Sequence, residues 1–378
     1  MKPSVIITID WFDPAYNAGG PISSIVNLIN HLHKEFDFYV FTGARDYGSN
    51  MDLTTVKTDQ WMDWNGKAQV YYMSTNLKTK SNVFKVLKER SYDYYYVQGM
   101  FSFCFSIYPL IWWKQFYVGK LIVAPRGMLH SSALSVKSFR KRVFLAITKF
   151  MGWYDDVFFH STDAKESIQI RKNFSKNVKI REASMLPKIF DFENIKPLPK
   201  IAKQLRLVCV SRISKEKNVM LLLDALKNLD SPIQISFLGP FGDKKYFESF
   251  IYKLSNLPDH ITTKYYGNVR PDRVMQILQK NHAFISPSLG ENYGHAIAEA
   301  LSLGLPAIIS TNTPWVDLEK ANAGFNLELN AQQFLEKIEA LYTMDEATFS
   351  KMQLAANRYI KKEINISKLK NQYFKLFN

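Results

Sequence analysis

Glu291 and Glu299 stand eight positions apart in the stretch SPSLGENYGHAIAEALSLGLPAIIST (286–311), with an Asn-Tyr-Gly-His turn between them. Carboxylates accept paired hydrogen bonds, so two at this spacing suit a polyhydroxylated ligand such as a sugar or a ribose. An apolar strand (283–286) comes before the pair and another (307–310) after it, and the pattern between them predicts a helix over 293–303. The first N–H groups of such a helix can hold a hydroxyl or an anion. Gly304-Leu305-Pro306 is ordinary chemistry for leaving a helix and carries no function by itself. Glu299 says more. Ala296, Ile297, Ala298, Ala300 and Leu301 make the helix apolar nearly all round, so it should be buried, and a glutamate inside it needs a partner.

Two cations sit in a comparable place. The strand 206–210 runs into Ser-Arg-Ile-Ser-Lys-Glu-Lys-Asn (211–218), which opens a helix. Arg212 and Lys217 therefore lie at a strand's carboxyl end and near a helix N-terminus, where a diphosphate is held well. The plainer alternative is a flexible basic loop. Asn17-Ala18-Gly19-Gly20-Pro21 follows the first strand in the same way. Gly19 and Gly20 let backbone N–H groups approach a phosphate or sugar closely, although a simple helix start needs no more than this. The run is neither Gly-x-Gly-x-x-Gly nor Gly-x4-Gly-Lys-Ser/Thr, so it is neither a nicotinamide fingerprint nor a P-loop.

Ser-Pro-Ser (286–288), Tyr293-Gly294, Glu299-Ala300, Gly304 and Pro306, at this spacing around the two glutamates, resemble the Glu-x7-Glu signature of the retaining nucleotide-sugar glycosyltransferases of family 4 (group 1), of the bacterial polysaccharide-assembly type. That resemblance implies the GT-B fold, two doubly wound parallel-sheet domains facing a cleft. It implies a donor bound through its diphosphate, UDP first and GDP next. Glu291 and the backbone of Asn292, Tyr293, Gly294 and His295 would grip the donor hexose, and Glu299 the ribose hydroxyls. Arg212 and Lys217 would neutralise the diphosphate, which gains charge in the transition state. The Gly19-Gly20 loop would face donor phosphates and acceptor, and the backbone at Asn268 and Val269 would meet the base. Arg126, in Pro-Arg-Gly-Met, stands where many relatives carry a histidine, and would steady a phosphate. Gln98 replaces another histidine, and Asn292 stands where many members carry glycine. The resemblance implies no metal and no dedicated nucleophile. The acceptor it implies is a glycan or lipid-linked saccharide in surface polysaccharide synthesis.

The elements that must position these residues alternate between strand and helix along both halves of the 378-residue chain, which indicates parallel, doubly wound sheets. Residues 191–204, with Pro197 and Pro199 and no apolar period, are the best linker. The expected division is 1–195, an acceptor domain; 196–363, a nucleotide-sugar domain; and 364–378, a helix returning to the first. At 47% hydrophobic residues the chain can fill two cores. Cys104 and Cys209 sit in apolar contexts, which fits core thiols in a reducing cytoplasm. No Cys/His cluster has metal spacing, and no Asp-x-Asp occurs. No apolar run is long enough for a membrane span or a signal peptide.

The net charge is +15, and no acidic residue lies between Asp93 and Asp155. Region 112–153 combines basic residues with Trp112, Trp113, Phe116, Tyr117, Phe144 and Phe150. In 136–150, Val136, Phe139, Val143, Phe144, Ile147 and Phe150 recur at helical spacing beside Lys and Arg. That pattern serves an interfacial helix on an anionic membrane or a core-facing helix with a basic outer face. The first reading gives a cytoplasmic protein held peripherally on the inner face of the cell membrane. Two rivals remain: a GT-B enzyme of another reaction (epimerase or phosphorylase), and a basic nucleic-acid-binding protein. No nucleic-acid motif accompanies the charge, so nucleic acid is not the expected partner.

Overall fold

The computed structural model describes residues 2–129, 138–174, 177–188 and 197–378. The expected linker therefore lies partly outside the described residues, as do His130, Val136 and Lys137. The chain forms two compact units, one of 1–189 with 366–378 and the other of 190–365.

The first unit contains β1 (Ser4–Ile9), α1 (Gly20–Leu32), β2 (Asp37–Gly43), β3 (Trp61–Trp64), β4 (Ala68–Met73), α2 (Lys80–Lys88), β5 (Tyr94–Gln98), α3 (Tyr108–Phe116), β6 (Lys120–Ala124), α4 (Ser138–Phe150), β7 (Phe158–Ser161), α5 (Ala164–Asn173) and β8 (Lys179–Glu182). The sheet order is β3-β4-β2-β1-β5-β6-β7-β8. Only β3 runs antiparallel; its neighbour β4 and all the other strands are parallel. Strands β5 and β6 are almost wholly buried, as strands covered on both faces must be.

Three strands of this sheet do not follow from apolar runs alone. β3 and β4 form a hairpin whose turn, Asn65-Gly66, has positive φ at both residues (55° and 65°). That is the type I′ geometry that suits a right-handed strand pair, so the Asn-Gly pair is the sequence signal for it. β8 is short and charged (Lys179 to Glu182), so no apolar pattern marks it. α3 is preceded by a wider turn at Phe103–Ile107, where the Ile107 N–H donates to Ser102 O at 2.9 Å. Pro109 has no N–H to give the Phe105 carbonyl. The Thr8 hydroxyl of β1 donates to that carbonyl at 2.6 Å and ties the turn to the sheet.

The final helix α12 (Ile366–Phe377), numbered last in the chain, packs on this first sheet. Phe377 is fully buried against the rings of Phe36, Tyr94 and Tyr96. Its last carbonyls accept hydrogen bonds from cations. Arg181 donates to Lys375 O and Leu376 O at 3.0 and 2.9 Å, and Lys120 to Asn378 O at 2.7 Å. Charge of that sign also complements the negative end of the helix dipole.

The second unit contains β9 (Arg206–Val210), α6 (Val219–Lys227), β10 (Ile233–Leu238), α7 (Lys244–Ser255), β11 (Ile261–Tyr265), α8 (Pro271–Leu278), β12 (Ala283–Ser286), α9 (His295–Ser302), β13 (Ala307–Ser310), β14 (Gly324–Leu327), α10 (Ala331–Thr343) and α11 (Glu346–Glu363). Its all-parallel sheet has the order β11-β10-β9-β12-β13-β14. From β9 the chain builds outward through β10 and β11, then crosses back to β12 on the other side. The loops after β9 and β12 therefore diverge, and a crevice opens at their carboxyl ends. Cys104 and Cys209 are free and buried, and burial pushes both thiols up to about 12.

Truncating Phe377 removes a fully buried ring. Phe377→Ala should lower stability by about 3–5 kcal/mol, read as a loss of midpoint in urea unfolding. A change below about 1 kcal/mol would mean that α12 contributes little to the first unit.

Candidate functional site

In the second unit the loops at the divergence are joined to one another. The loop after β9 (211–218) offers the Glu216 carbonyl, which accepts from Leu289 N at 2.8 Å and from the Ser288 hydroxyl. The loop after β12 (287–294) is tied in turn to the loop after β13. Ser310 Oγ donates to Ser288 O at 2.6 Å, and Glu291 N to Asn312 O at 3.2 Å. The backbone at one strand's end is thus held by the next.

These contacts bring Lys217 and Glu291 together, 74 positions apart in the chain. Lys217 Nζ donates to Glu291 Oε1 at 2.6 Å, and both side chains are more than four-fifths buried. Arg212, on the same loop as Lys217, is exposed. Lys217 is thus held by a carboxylate, while Arg212 faces solvent.

Gly294 enters α9 with φ 75°, a conformation that side chains resist. A Cβ there would lie 2.9 Å from Ile297 Cδ1 and 3.4 Å from Trp315 Nε1. Trp315 is buried, donates from Nε1 to Tyr293 O at 2.6 Å, and meets the Tyr293 ring edge-on. Its role in the structure is to hold the loop. Tyr293 also contacts the His295 ring, and its hydroxyl is buried with no hydrogen-bond partner among the described residues. Burial, then the Glu299 carboxylate, raises the Tyr293 phenol above the usual tyrosine range. α9 is one turn shorter than the sequence suggests, runs from His295 to Ser302, and has no side-chain cap at its N-terminus. Glu299 is half-buried on it, among buried Ile297, Ala298, Ala300 and Leu301. Asn292 is exposed. Asn268 and Val269 follow β11; the first is exposed, and the second packs on the core beside α9.

The first unit has its own divergence, between β1 and β5. Asp46 organises the loop after β1, accepting from the N–H groups of Tyr16 at 3.0 Å, Asn17 at 3.1 Å and Tyr47 at 2.7 Å. Gly19 follows with φ 66°, and an added Cβ there would meet nothing within 4 Å, so the space above it is open. Asp10 directly follows β1 and accepts from the Ser102 hydroxyl at 2.6 Å. Burial raises its carboxyl above the usual range against the opposing pull of Ser102 and Lys78. The motif reading missed Asp10 and Asp46. For Asp10 the signal was present: a carboxylate placed directly after an apolar strand.

Arg126 has φ 56° and sits half-buried beyond β6. Its Nε donates to Gln98 Oε1 and its Nη2 to Tyr96 Oη, both at 2.8 Å. Tyr96 lies 2.6 Å from His160 Nδ1, and His160 Nε2 lies 2.7 Å from Ala183 O. Burial first, and the Arg126 charge second, hold His160 down to about 3, so the ring is neutral. A carbonyl can only accept, so Nε2 carries the proton, Nδ1 accepts from Tyr96, and Tyr96 accepts from Arg126. Much of Arg126 is therefore committed to positioning β5, β6 and β7.

Residues 191–362 match the model of the glycosyl transferases group 1 family, a span that nearly coincides with the second unit. The phosphatidylinositol N-acetylglucosaminyltransferase gpi3 subunit of Schizosaccharomyces pombe is 28% identical over 135 residues, 35% of this chain. The match spans only 29% of that relative's length. Among solved structures, HepE of Anabaena in complex with UDP and glucose superposes with a TM-score of 0.72 at 14% identity, covering 99% of both chains. Sucrose-phosphate synthase of Thermosynechococcus elongatus gives 0.70 at 14%, covering 100% of this chain and 98% of the other. WaaG, a glycosyltransferase involved in lipopolysaccharide biosynthesis, gives 0.66 at 14%, covering 99% of both. The chain therefore has the GT-B fold.

Two measurements follow from this geometry. Lys217→Met strands the Glu291 carboxylate and should cost about 1–3 kcal/mol, less than a fully buried pair would. The double variant with Glu291→Gln should cost less than the two singles added; strict additivity would mean that the residues are not coupled. His160 has a depressed folded pKa, so its contribution is intact above its unfolded value near 6.5 and is lost as pH falls towards about 3. Between pH 6.5 and 5 it should cost roughly 2 kcal/mol, and His160→Gln should flatten that slope in urea titrations. His282, held at about 4, adds to the same window from the second unit.

Proposed function

We propose that this chain is a retaining glycosyltransferase that moves a hexose from a nucleoside-diphosphate sugar to a glycan or lipid-linked saccharide in surface polysaccharide synthesis. UDP is the favoured nucleotide and GDP the next. The observation that carries the reading is the contact of Lys217 with Glu291 at the carboxyl ends of β9 and β12, with Arg212 on the same loop as Lys217 and the uncapped start of α9 following the Glu291 loop. HepE, whose solved complexes hold UDP and UDP-glucose, supports the choice of base.

In this reading Arg212 and Lys217 take the diphosphate, and Glu299 takes the ribose hydroxyls. Asn268 and Val269 present backbone to the base. Glu291, with the loop Asn292 to His295, orients the hexose. The acceptor hydroxyl attacks the anomeric carbon on the face from which the diphosphate departs. The new carbon–oxygen bond forms as the bond to phosphate breaks, and a phosphate oxygen takes the acceptor's proton. Two cations placed in advance stabilise the charge that develops on the leaving group. They take the place of a metal, so turnover should survive EDTA. Arg126 steadies a phosphate, and the Gly19-Gly20 loop and Asp10 meet the acceptor.

Binding the diphosphate takes Lys217 away from Glu291. Glu291→Gln should therefore keep or strengthen UDP binding, read by thermal shift, while hexose transfer falls about a hundredfold or more, as when a residue that acts in the transition state is lost. Arg212→Ala should weaken UDP binding itself. No stabilisation of the wild type by UDP, GDP or ADP would remove the donor site. Proton NMR of the product, read at the first minute, tests the stereochemistry: an anomer inverted relative to the donor would overturn retention.

A further inference from the structure

We propose that α4 is a docking surface for an anionic phospholipid bilayer; this goes beyond the donor-site reading and does not depend on it. The helix has two apolar faces, and among the described residues only one has a partner. Leu145 is 6% exposed and Thr148 1% exposed, Phe144 meets the Phe101 ring edge-on, and Lys141 lies over the same Phe101. These positions form the inner face. Phe139 is 79% exposed, Phe150 92%, Ile147 50% and Val143 40%. At about 100° per residue these four, with Ala146, fall within one stripe opposite the inner face. Met151, just past the helix end, is also exposed. Soluble surfaces scatter single apolar residues, but a contiguous outward stripe with two exposed phenylalanines marks a site of association.

The flanks of the stripe decide what associates. Arg140 lies to one side, Arg142 and Lys149 to the other, and all three are exposed. No acidic residue occurs on the helix. A second copy docking by this face would oppose its own cations at short range, in a chain that already carries +15. An anionic lipid surface meets both demands: headgroups take the cations while the phenylalanines enter the acyl boundary. The helix, about 20 Å long, is too short to cross a bilayer but suits one lying in the plane of the interface.

The test is co-sedimentation of the full chain with phosphatidylcholine vesicles, with and without phosphatidylglycerol. Binding is expected only with phosphatidylglycerol, and salt should weaken it. Replacing both phenylalanines (F139S with F150S) should lower the partition at least tenfold. Each of Arg140→Gln, Arg142→Gln and Lys149→Gln should lower it about fivefold, since a basic residue near such a surface contributes about 1 kcal/mol. These side chains are exposed, so unfolding midpoints and the UDP thermal shift should not change; a failed donor site would leave the vesicle result untouched, and the reverse. No binding at low salt, or equal binding by the phenylalanine variant, would overturn the proposal. A wild-type dimer in the absence of lipid that F139S with F150S makes monomeric would overturn it as well, in favour of a second copy.

Discussion

A parallel sheet sends every one of its strands to the same edge, and in each unit the connection changes side once, at β1 and β5 in the first and at β9 and β12 in the second. At that place adjacent loops must part, because their helices cover opposite faces of the sheet. The polar residues of interest sit at these two partings: Arg212, Lys217 and Glu291 in one, Asp10, Gln98 and the Gly19-Gly20 loop in the other. The chain can afford open polar space there because the remaining sheet surface is packed with Val, Ile, Leu and Phe.

Charge at the second unit's divergence is arranged before any ligand arrives. Lys217 is partly desolvated and would be costly alone, so Glu291 at 2.6 Å holds it. Under the proposed function a diphosphate would compete with the carboxylate for the same ammonium and release it towards hydroxyl groups, so the two proposed roles of Glu291 and Lys217 would alternate. Trp315 and the left-handed Gly294 hold this loop in place.

The first unit uses its buried polar groups in another way. Arg126, Tyr96, neutral His160 and the Ala183 carbonyl form one chain of donors and acceptors across three strands. Each member satisfies the next, which is what a buried network requires. α12 closes the same face with Tyr373 and Phe377. On α4, by contrast, the basic residues bracket a stripe that packs on nothing in the described protein.

Most strands of both sheets are readable from short apolar runs, because a strand covered on both faces has no polar positions to spare. The Glu291–Glu299 spacing and the turn between them are local, and so are the cations that follow β9. All of this was open to sequence reasoning, along with the alternation that makes the GT-B fold. The misses have physical causes. β8 is charged and held by a neighbour, and the turn before α3 widened because Pro109 lacks a donor. Other matters were decided by the tertiary structure alone. The contact of Lys217 with Glu291 spans 74 positions and depends on how three loops are stitched together. Trp315 is a packing residue because Tyr293 O lies within its reach. For α4 the helical period gave one apolar stripe with two readings, a membrane or the core. Only the packing of Leu145 and Thr148 against the body showed that most of this stripe is left outside, since a periodicity records spacing and carries no information about what stands opposite.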